Sequence, residues 1–400
     1  MTDPGVSPKD EAAAFKAAAD RAMGSGDLRG ARELLQQAVA RVDDSLGLWM
    51  SLAACNRGLG DVDDALTAVE RALAVEPRNF MALLMKASLL ERQGRERPAG
   101  AAYGVALTQA PSPDRLPEPT RIALAHAREV HDRYTAQMAG ALSADLAKVS
   151  GRAGAVEAAR IETFIGGIAG RRRIYQQEPI QFNYPGLPAI EFHERTEFPW
   201  LEGLEACTDD IRGEVLAVWG DGSPQLEPYV SYPDGVPLDQ WAELNKSLNW
   251  SAFHLLFDGA PVAANCARCP ATMAALALVD QPKVHDRSPS AMFSILKAHT
   301  RIPPHTGVAN TRLVLHLPLI VPDGCGFRVG GETRQWREGH AWVFDDTIEH
   351  EAWNDGDRPR AILICDVWSP HLSAAERELV AQVIAALDRF NQGGQAPAEP

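Results

Sequence analysis

The 400-residue chain lacks the features that would place it in a membrane, on nucleic acid or among proteins held by disulfides. No apolar run reaches the ~18 residues that a membrane-spanning helix needs. The net charge of −14 disfavours nucleic acid, because phosphate binding needs clustered lysine and arginine. Six cysteines are few for this length, so we predict reduced thiols.

The sequence also has no segment typical of a targeting signal and no common catalytic motif. The start, MTDPGVSPKD, has neither a basic nor an apolar stretch, so we expect no signal peptide and a cytoplasmic protein. A Walker-type phosphate loop and a GxSxG nucleophile turn are both missing. Cys266 and Cys269 form the string CARC, but without a second cysteine pair they do not predict a zinc site.

The N-terminal part contains an internal repeat of 34 residues, between residues 11 and 112. The recurring positions are Phe15, Trp49 and Leu83; Gly26, Gly60 and Gly94; Ala31, Ala65 and Ala99; Ala38, Ala72 and Ala106; and Pro77 and Pro111. Small residues let two helices approach closely, while glycine and proline end helices. The pattern is typical of tetratricopeptide repeats, which stack into a concave surface for peptides or partner proteins.

We predict a multidomain protein of helices and strands. Its predicted segments are a disordered N-terminus (1–10), three repeat units (11–112), a Pro-rich linker (113–119), a helical support region for the second domain (120–185), the strand-rich domain (186–390) and a disordered tail (391–400). The linker lies within the string PSPDRLPEP (111–119), in which proline interrupts helices. In the strand-rich part, apolar runs alternate with turns rich in glycine and proline.

The most informative segment, residues 294–368, contains two histidines and an arginine beside runs that predict turns and strands. His305 follows two prolines, His350 ends the string VFDDTIEH, and Arg360 comes ten positions later, at the start of the apolar run AILICDVW. Imidazole is a good ligand for Fe(II), and a guanidinium can bind a carboxylate with two hydrogen bonds. The order therefore indicates an iron site beside a 2-oxo acid in a β-barrel-like fold.

This segment resembles the aspartyl/asparaginyl β-hydroxylase family of Fe(II)/2-oxoglutarate oxygenases over about residues 285–375. The matching strings are FSIL, PPHTGVANTRL, HLPLIVP, WREGHAWVFDDTIEHEAWN and DVWSPHL, and the similarity continues upstream in YPGLPA and ANCARCPAT. The resemblance implies a C-terminal double-stranded β-helix, or jelly roll, that binds Fe(II), 2-oxoglutarate and O2.

The resemblance also implies roles for individual residues. His305 and His350 would be the catalytic iron ligands. The usual facial triad adds a carboxylate two residues after the first histidine, but Gly307 stands there, and the resembled family works with two histidines alone. Asp345 and Asp346 could supply a carboxylate, although we favour a turn-capping or supporting role for them.

Four further residues would bind 2-oxoglutarate. Arg360 would bind its distal carboxylate with help from the hydroxyl of Ser294, and His316 would contact it near the metal-chelating end. The family often has a second arginine where this chain has Val314, so Arg312, on the same predicted strand face, is expected to replace it.

The implied reaction is hydroxylation at Cβ of an Asp or Asn residue in a peptide or protein, with release of succinate and CO2. The repeats could dock that substrate, and we expect no nucleic acid or membrane partner. Three different functions stay open: the same chemistry on a free amino acid or natural product, a halogenase in which Gly307 leaves room for chloride, and a non-catalytic scaffold.

Overall fold

The computed structural model describes residues 7–148, 154–220 and 226–391, and the chain divides into two compact units. The first unit is Met1–Arg172 and the second is Arg173–Pro400. No helix in the described ranges is both long enough and apolar enough to cross a membrane.

The predicted repeats form six helices that pack in successive pairs. They are α1 (Pro8–Gly24), α2 (Leu28–Arg41), α3 (Leu46–Leu59), α4 (Val62–Val75), α5 (Phe80–Arg92) and α6 (Glu96–Thr108). Gly26, Gly60 and Gly94 follow the first helix of each pair with φ of 84°, 87° and 69°, a conformation that favours glycine. The recurring alanines are buried between the helices, as their small size predicts.

The predicted disordered start is wrong for residues 8–10, which form the first turn of α1. The hydroxyl of Ser7 accepts a hydrogen bond from the Asp10 backbone N–H at 3.2 Å, and Pro8 suits the first helical position. Residues 1–6 and 392–400 lie outside the described ranges, and Asn391 ends the last helix.

The helices over residues 118–168 belong to the first unit, whereas we predicted them as support for the oxygenase. They are α7 (Glu118–Ala147) and α8 (Ala155–Ile168). On α7, Leu124, Ala127 and Val130 join the apolar cluster that contains Phe80 of α5 and Tyr103 of α6. The Pro-rich segment before α7 is a 3₁₀ turn, Pro113–Arg115, rather than a domain boundary.

The second unit consists of two antiparallel sheets with helices beside one of them. Its helices are α9 (Leu201–Ala206), α10 (Thr208–Gly220), α11 (Ala263–Arg268), α12 (Pro270–Leu276) and α13 (Ala374–Asn391). Its strands are β1 (Glu227–Pro228), β2 (Trp250–Phe257), β3 (Ala260–Pro261), β4 (Ala291–Leu296), β5 (Thr300–His305), β6 (Arg312–Ile320), β7 (Cys325–Val329), β8 (Glu332–Arg334), β9 (Trp342–Phe344), β10 (His350–Asn354) and β11 (Arg360–Trp368).

The larger sheet has the order β1-β2-β4-β11-β6-β9, with β3 paired to β2, and the smaller has the order β5-β10-β7-β8. One apolar cluster contains residues from both sheets, including Val314 of β6 and Phe327 of β7, so the sheets face each other. A second cluster joins the outer face of the larger sheet to α9, α10 and α12. This arrangement agrees with the predicted jelly roll.

Strand β6 shows how the pattern of residues sets the two faces. Leu313, Leu315 and Leu317 pack in the cluster with the helices, whereas Val314 and His316 face the space between the sheets. This alternation was predicted from the sequence TRLVLHL. It places polar side chains on the inner face of a buried strand, where they can form a site.

Candidate active site

A cavity of about 520 Å³ lies between the two sheets, and its size suits a small ligand. Strands of both sheets contribute to its wall. All six residues predicted from the sequence to act on iron or 2-oxoglutarate line this cavity: Ser294, His305, Arg312, His316, His350 and Arg360.

His305 and His350 are neighbours across the smaller sheet. The last residue of β5 pairs in register with the first residue of β10, and the ring centroids are 4.1 Å apart. Nδ1 of His305 lies 2.8 Å from the Pro303 carbonyl, and Nδ1 of His350 lies 3.0 Å from the Ile348 carbonyl. A carbonyl only accepts hydrogen bonds, so both protons belong on Nδ1 and each Nε2 keeps its lone pair.

Burial keeps both imidazoles uncharged. It lowers the pKa of His305 to about 3, with a smaller contribution from neighbouring His350. It likewise lowers the pKa of His350 to about 4. Two neutral imidazoles with oriented side chains and available Nε2 atoms suit a divalent metal ion such as Fe(II).

Arg360 is a buried cation at the start of β11, and its side chain is only 1% exposed. One of its NH2 groups lies 3.4 Å from the Ser294 hydroxyl, and the guanidinium stacks 4.7 Å from the Trp336 ring. Its Nε has no partner, and no described carboxylate forms an ion pair with it. Burial lowers its pKa to about 10, so the group remains charged at neutral pH.

Ser294 is held in place by strand pairing and by an indole. It lies fully buried in β4, and its Oγ accepts a hydrogen bond from Nε1 of Trp250 at 3.1 Å as well as the one from Arg360. Because both of these groups donate, the hydroxyl proton of Ser294 is left to donate to a ligand. Arg360 and Ser294 together thus offer donors suited to a carboxylate.

His316 lies on the inner face of β6 among aromatic rings. Its ring centroid is 4.7 Å from Phe344 and 4.9 Å from Phe327. Burial lowers its pKa well below the usual value, and the positive charge of Arg360 lowers it further. Its buried Nδ1 has no partner among the described residues, which leaves a polar atom for a ligand to satisfy.

Arg312 already has two carboxylate partners, unlike Arg360. It lies 3.1 Å from Asp346 and 3.3 Å from Asp366. Although burial opposes the charged form, these carboxylates raise the pKa of Arg312 above its usual value. Arg312 is thus positioned at the cavity as expected, while its predicted contact with the C1 carboxylate of 2-oxoglutarate stays a prediction.

The carboxylate of Asp346 occupies the space beside Gly307. A Cβ at Gly307 would collide with this carboxylate, and the Gly307 N–H donates to the Asp346 carbonyl at 2.6 Å. Burial raises the pKa of Asp346, which Arg312 partly offsets. Asp345 instead accepts hydrogen bonds from the N–H and hydroxyl of Thr347, the turn-capping role that we favoured.

Several supporting residues were missed by the sequence reasoning. Trp250 orients Ser294, Trp336 lies against Arg360, and Asp366 pairs with Arg312. Trp241 also contacts His305, with ring centroids 5.1 Å apart. The alternation in β11 could have indicated Asp366, whereas nothing in the local sequence distinguishes these tryptophans from core residues.

Comparison with known proteins adds to this geometry. Residues 205–370 match the family model for aspartyl/asparaginyl β-hydroxylase, and the residues 16–66 and 57–113 match a tetratricopeptide repeat model. Among curated relatives, the ornithine lipid ester-linked acyl 2-hydroxylase of Rhizobium tropici is 33% identical over 201 residues, or 50% of this chain and 67% of that protein.

The chain belongs to the aspartyl/asparaginyl β-hydroxylase family.

Two mammalian members share the same part of the chain. Human aspartate β-hydroxylase domain-containing protein 2 is 36% identical over 213 residues, or 52% of this chain and 55% of that protein. Mouse aspartyl/asparaginyl β-hydroxylase is 38% identical over 200 residues, or 49% of this chain and 25% of that protein. The match thus spans about half and a quarter of these two relatives. For the helical unit, the Arabidopsis OM64 TPR domain aligns at 16% identity with a TM-score of 0.28, covering 32% of this chain and 98% of that domain.

Proposed function

We propose that this member of the hydroxylase family is an Fe(II)- and 2-oxoglutarate-dependent dioxygenase. The observation that carries the proposal is Arg360, a buried cation without a carboxylate partner among the described residues, in one cavity with two neutral imidazoles. A buried unpaired charge is costly, so a dianionic cosubstrate would supply the missing counter-charge.

His305 and His350 would hold the iron through Nε2, because the Nδ1 atom of each faces a backbone carbonyl. Arg360 and Ser294 would bind the distal carboxylate of 2-oxoglutarate. His316 would meet its other end through the unpartnered Nδ1. When bound, Fe(II) would supply the activation of O2, with 2-oxoglutarate oxidised to succinate and CO2 while one oxygen atom enters the substrate.

Gly307 and Asp346 line the same cavity as the two histidines. Among the described residues, no carboxylate oxygen lies close enough to His305 and His350 to form a group of three metal ligands with them. Asp346 is instead held by Arg312. It would therefore act as a hydrogen-bond acceptor near the metal rather than as a ligand.

The substrate that we propose first is an Asp or Asn residue of a peptide or protein, hydroxylated at Cβ. The family name supports this choice. The tetratricopeptide unit also favours a polypeptide, since such repeats commonly bind peptides and proteins.

A second candidate is hydroxylation of a lipid acyl chain, favoured by the match to the Rhizobium tropici acyl 2-hydroxylase, of which 67% is covered. The two reactions share one chemical feature. Cβ of aspartate and C2 of an acyl chain both lie next to a carboxyl-derived carbon. The cavity would therefore have to place such a carbon, with its neighbouring polar group, beside the metal.

The test begins with anaerobic binding of Fe(II) and 2-oxoglutarate to the full chain, followed by turnover measured by mass spectrometry. A library of Asp- and Asn-containing peptides, an ornithine lipid and free amino acids would be the substrates, in buffer containing chloride. One added oxygen on a peptide supports the first proposal, and one on the lipid supports the second. A hydroxylated free amino acid would favour a small-molecule oxygenase, and a chlorinated product would favour a halogenase.

Variants of the two histidines supply the control. His305→Ala or His350→Ala should abolish iron binding and succinate formation, because one imidazole cannot hold Fe(II) against water. His340→Ala, at an exposed histidine outside the cavity, should behave like the wild type. If wild type binds neither Fe(II) nor 2-oxoglutarate, the proposed enzyme is wrong and the non-catalytic scaffold is favoured.

A further inference from the structure

A second group of metal-ligating side chains lies outside the proposed iron site, formed by His193, Glu197 and His371. It is the one group of three such residues, within the described ranges, whose ligand atoms lie within 4.8 Å of one another. None of the three lines the cavity between the sheets. The proposed reaction gives no role to any of them.

The local fold brings these residues together from two chain segments. The His193 N–H donates to the Val343 carbonyl at 3.0 Å, which fixes its backbone beside β9. Glu197 ends the 3₁₀ turn Arg195–Glu197, and its carboxylate accepts the Glu194 N–H at 3.1 Å. His371 lies in the turn after β11.

The separations suit a small divalent ion. Nδ1 of His193 is 3.1 Å from one oxygen of Glu197, and Nε2 of His371 is 3.4 Å from the other. Ligand atoms about 2.1 Å from zinc at tetrahedral angles lie roughly 3.4 Å from each other. The two nitrogens face different oxygens of the Glu197 carboxylate, and one ligand atom from each of the three residues lies within 4.8 Å of the others, so the group could hold a single ion.

Burial and charge are also those of a metal site. The side chain of His193 is 1% exposed, and its Nδ1, which faces Glu197, is the atom that would bind the ion. The side chains of Glu197 and His371 are 26% and 34% exposed, which gives an ion and a coordinating water access from solvent. Two imidazoles and a carboxylate form a ligand set that zinc uses in proteins.

We propose that His193, Glu197 and His371 bind a divalent transition-metal ion of the zinc class, separately from the proposed iron site. The ion would join the segment before α9 to the turn that follows β11. Since its ligands are nitrogen and oxygen, zinc should bind more tightly than Fe(II).

The experiment uses the metal-free full chain carrying His305→Ala and His350→Ala, so that zinc at the first histidine pair does not contribute. This variant should take up one equivalent of Zn²⁺ in competition with a chromogenic chelator, and its Tm should rise with zinc. Adding Glu197→Gln or His371→Ala should weaken zinc binding at least about 100-fold and remove the rise in Tm. Adding His340→Ala should change neither.

Two results would overturn the proposal. If the double variant takes up no zinc, the three residues form only a hydrogen-bonded contact. If zinc uptake persists with Glu197→Gln and His371→Ala, the ion binds elsewhere. Glu197→Gln keeps the shape of the side chain and an oxygen for the Glu194 N–H, so a normal circular dichroism spectrum and a zinc-free Tm near that of the parent would separate lost binding from lost folding.

Discussion

At the scale of single residues, Arg360 distinguishes a ligand site from a structural ion pair. Arg312, on the neighbouring strand, has two carboxylates within 3.3 Å, whereas Arg360 has only a serine hydroxyl and an aromatic face as partners among the described residues. A buried cation in such surroundings contributes little to stability by itself. Its retention in the wall of the cavity is explained by a ligand that carries the opposite charge.

We therefore predict that Arg360→Met has opposite effects on ligand binding and on folding. Affinity for 2-oxoglutarate should fall about 100- to 5,000-fold, since loss of one partner of a buried charge pair costs about 3–5 kcal/mol. The Tm of the ligand-free protein should stay the same or rise, because an unpaired buried charge is removed. Anaerobic titration and thermal unfolding measure the two quantities.

Arg337→Met, at an exposed arginine, is the matched control and should alter neither quantity. An unchanged affinity in Arg360→Met would move the distal carboxylate elsewhere, with Arg312 as the next candidate. A fall in Tm together with a fall in affinity would instead show that Arg360 is needed for the fold.

At the scale of elements, the junction between β5 and the turn before β10 is tightly packed. Gly307 follows β5 by two residues, and Asp346 lies in the turn between β9 and β10. The carboxylate of Asp346 fills the space that a side chain at position 307 would need, and its ion pair with Arg312 prevents it from moving freely. Glycine at 307 is thus required by the packing of this turn.

The prediction at this junction is that Gly307→Ala destabilises the protein by about 1–3 kcal/mol, the usual cost of overpacking. Gly307→Asp should cost more, because it also adds a negative charge beside a buried carboxylate. It should not create a third iron ligand. Urea unfolding of the single variants and of Gly307→Ala with Asp346→Ala would measure the coupling.

The double variant should lose less stability than the two single variants together, since removal of the carboxylate makes room for the new methyl group. Gly213→Ala is the control, because nothing lies within 4 Å of its Cβ position on the exposed face of α10. It should be neutral or stabilising by up to about 1 kcal/mol. If the loss of stability in the double variant equals the sum of the losses in the two single variants, the packing described for this turn is wrong.

The sequence predicted the elements well where the pattern is local. The 34-residue period located the glycines with positive φ, and the alternation in TRLVLHL located the inner face of β6. Contacts between distant segments were not predictable in this way. Trp250 and Ser294 are 44 residues apart, and only the pairing of β2 with β4 brings the indole to the hydroxyl.

The position of α7 was missed for a related reason. Its apolar residues repeat at helical spacing, which predicts a helix with one buried face but not the partner that covers it. The structure shows that the partner is the last repeat, through Leu124 and Val130. Likewise, the strings around His305 and His350 resemble an iron-binding family and so predict a pair of ligands, but they do not predict that Asp346 fills the space beside Gly307.

At the scale of the whole molecule, the boundary between the units determines how the chain can be divided. The proposed iron and 2-oxoglutarate residues all lie in the second unit, and the two units meet in sequence at Arg172 and Arg173. The sequence alone predicts a division at the Pro-rich segment 111–119. A cut there would expose the face of α7 that packs on α6, including Leu124, which is 1% exposed.

A chain that begins at residue 173 should therefore fold and bind Fe(II) and 2-oxoglutarate like the full chain, and it should keep the slow conversion of 2-oxoglutarate to succinate without substrate. A chain that begins at residue 116 should be less soluble, because α7 would lose its apolar partner.

If the repeats dock a polypeptide substrate, the chain from 173 should show a lower kcat/KM for a long substrate and an unchanged value for a short peptide. The reason is that repeat arrays bind through extended surfaces, which a short peptide would not reach. Comparing kcat/KM for both substrates in the full and shortened chains measures this directly. An equal change for both substrates, or no change for either, would show that the helical unit does not dock the substrate, and its role would then be oligomerisation or the recruitment of a separate partner.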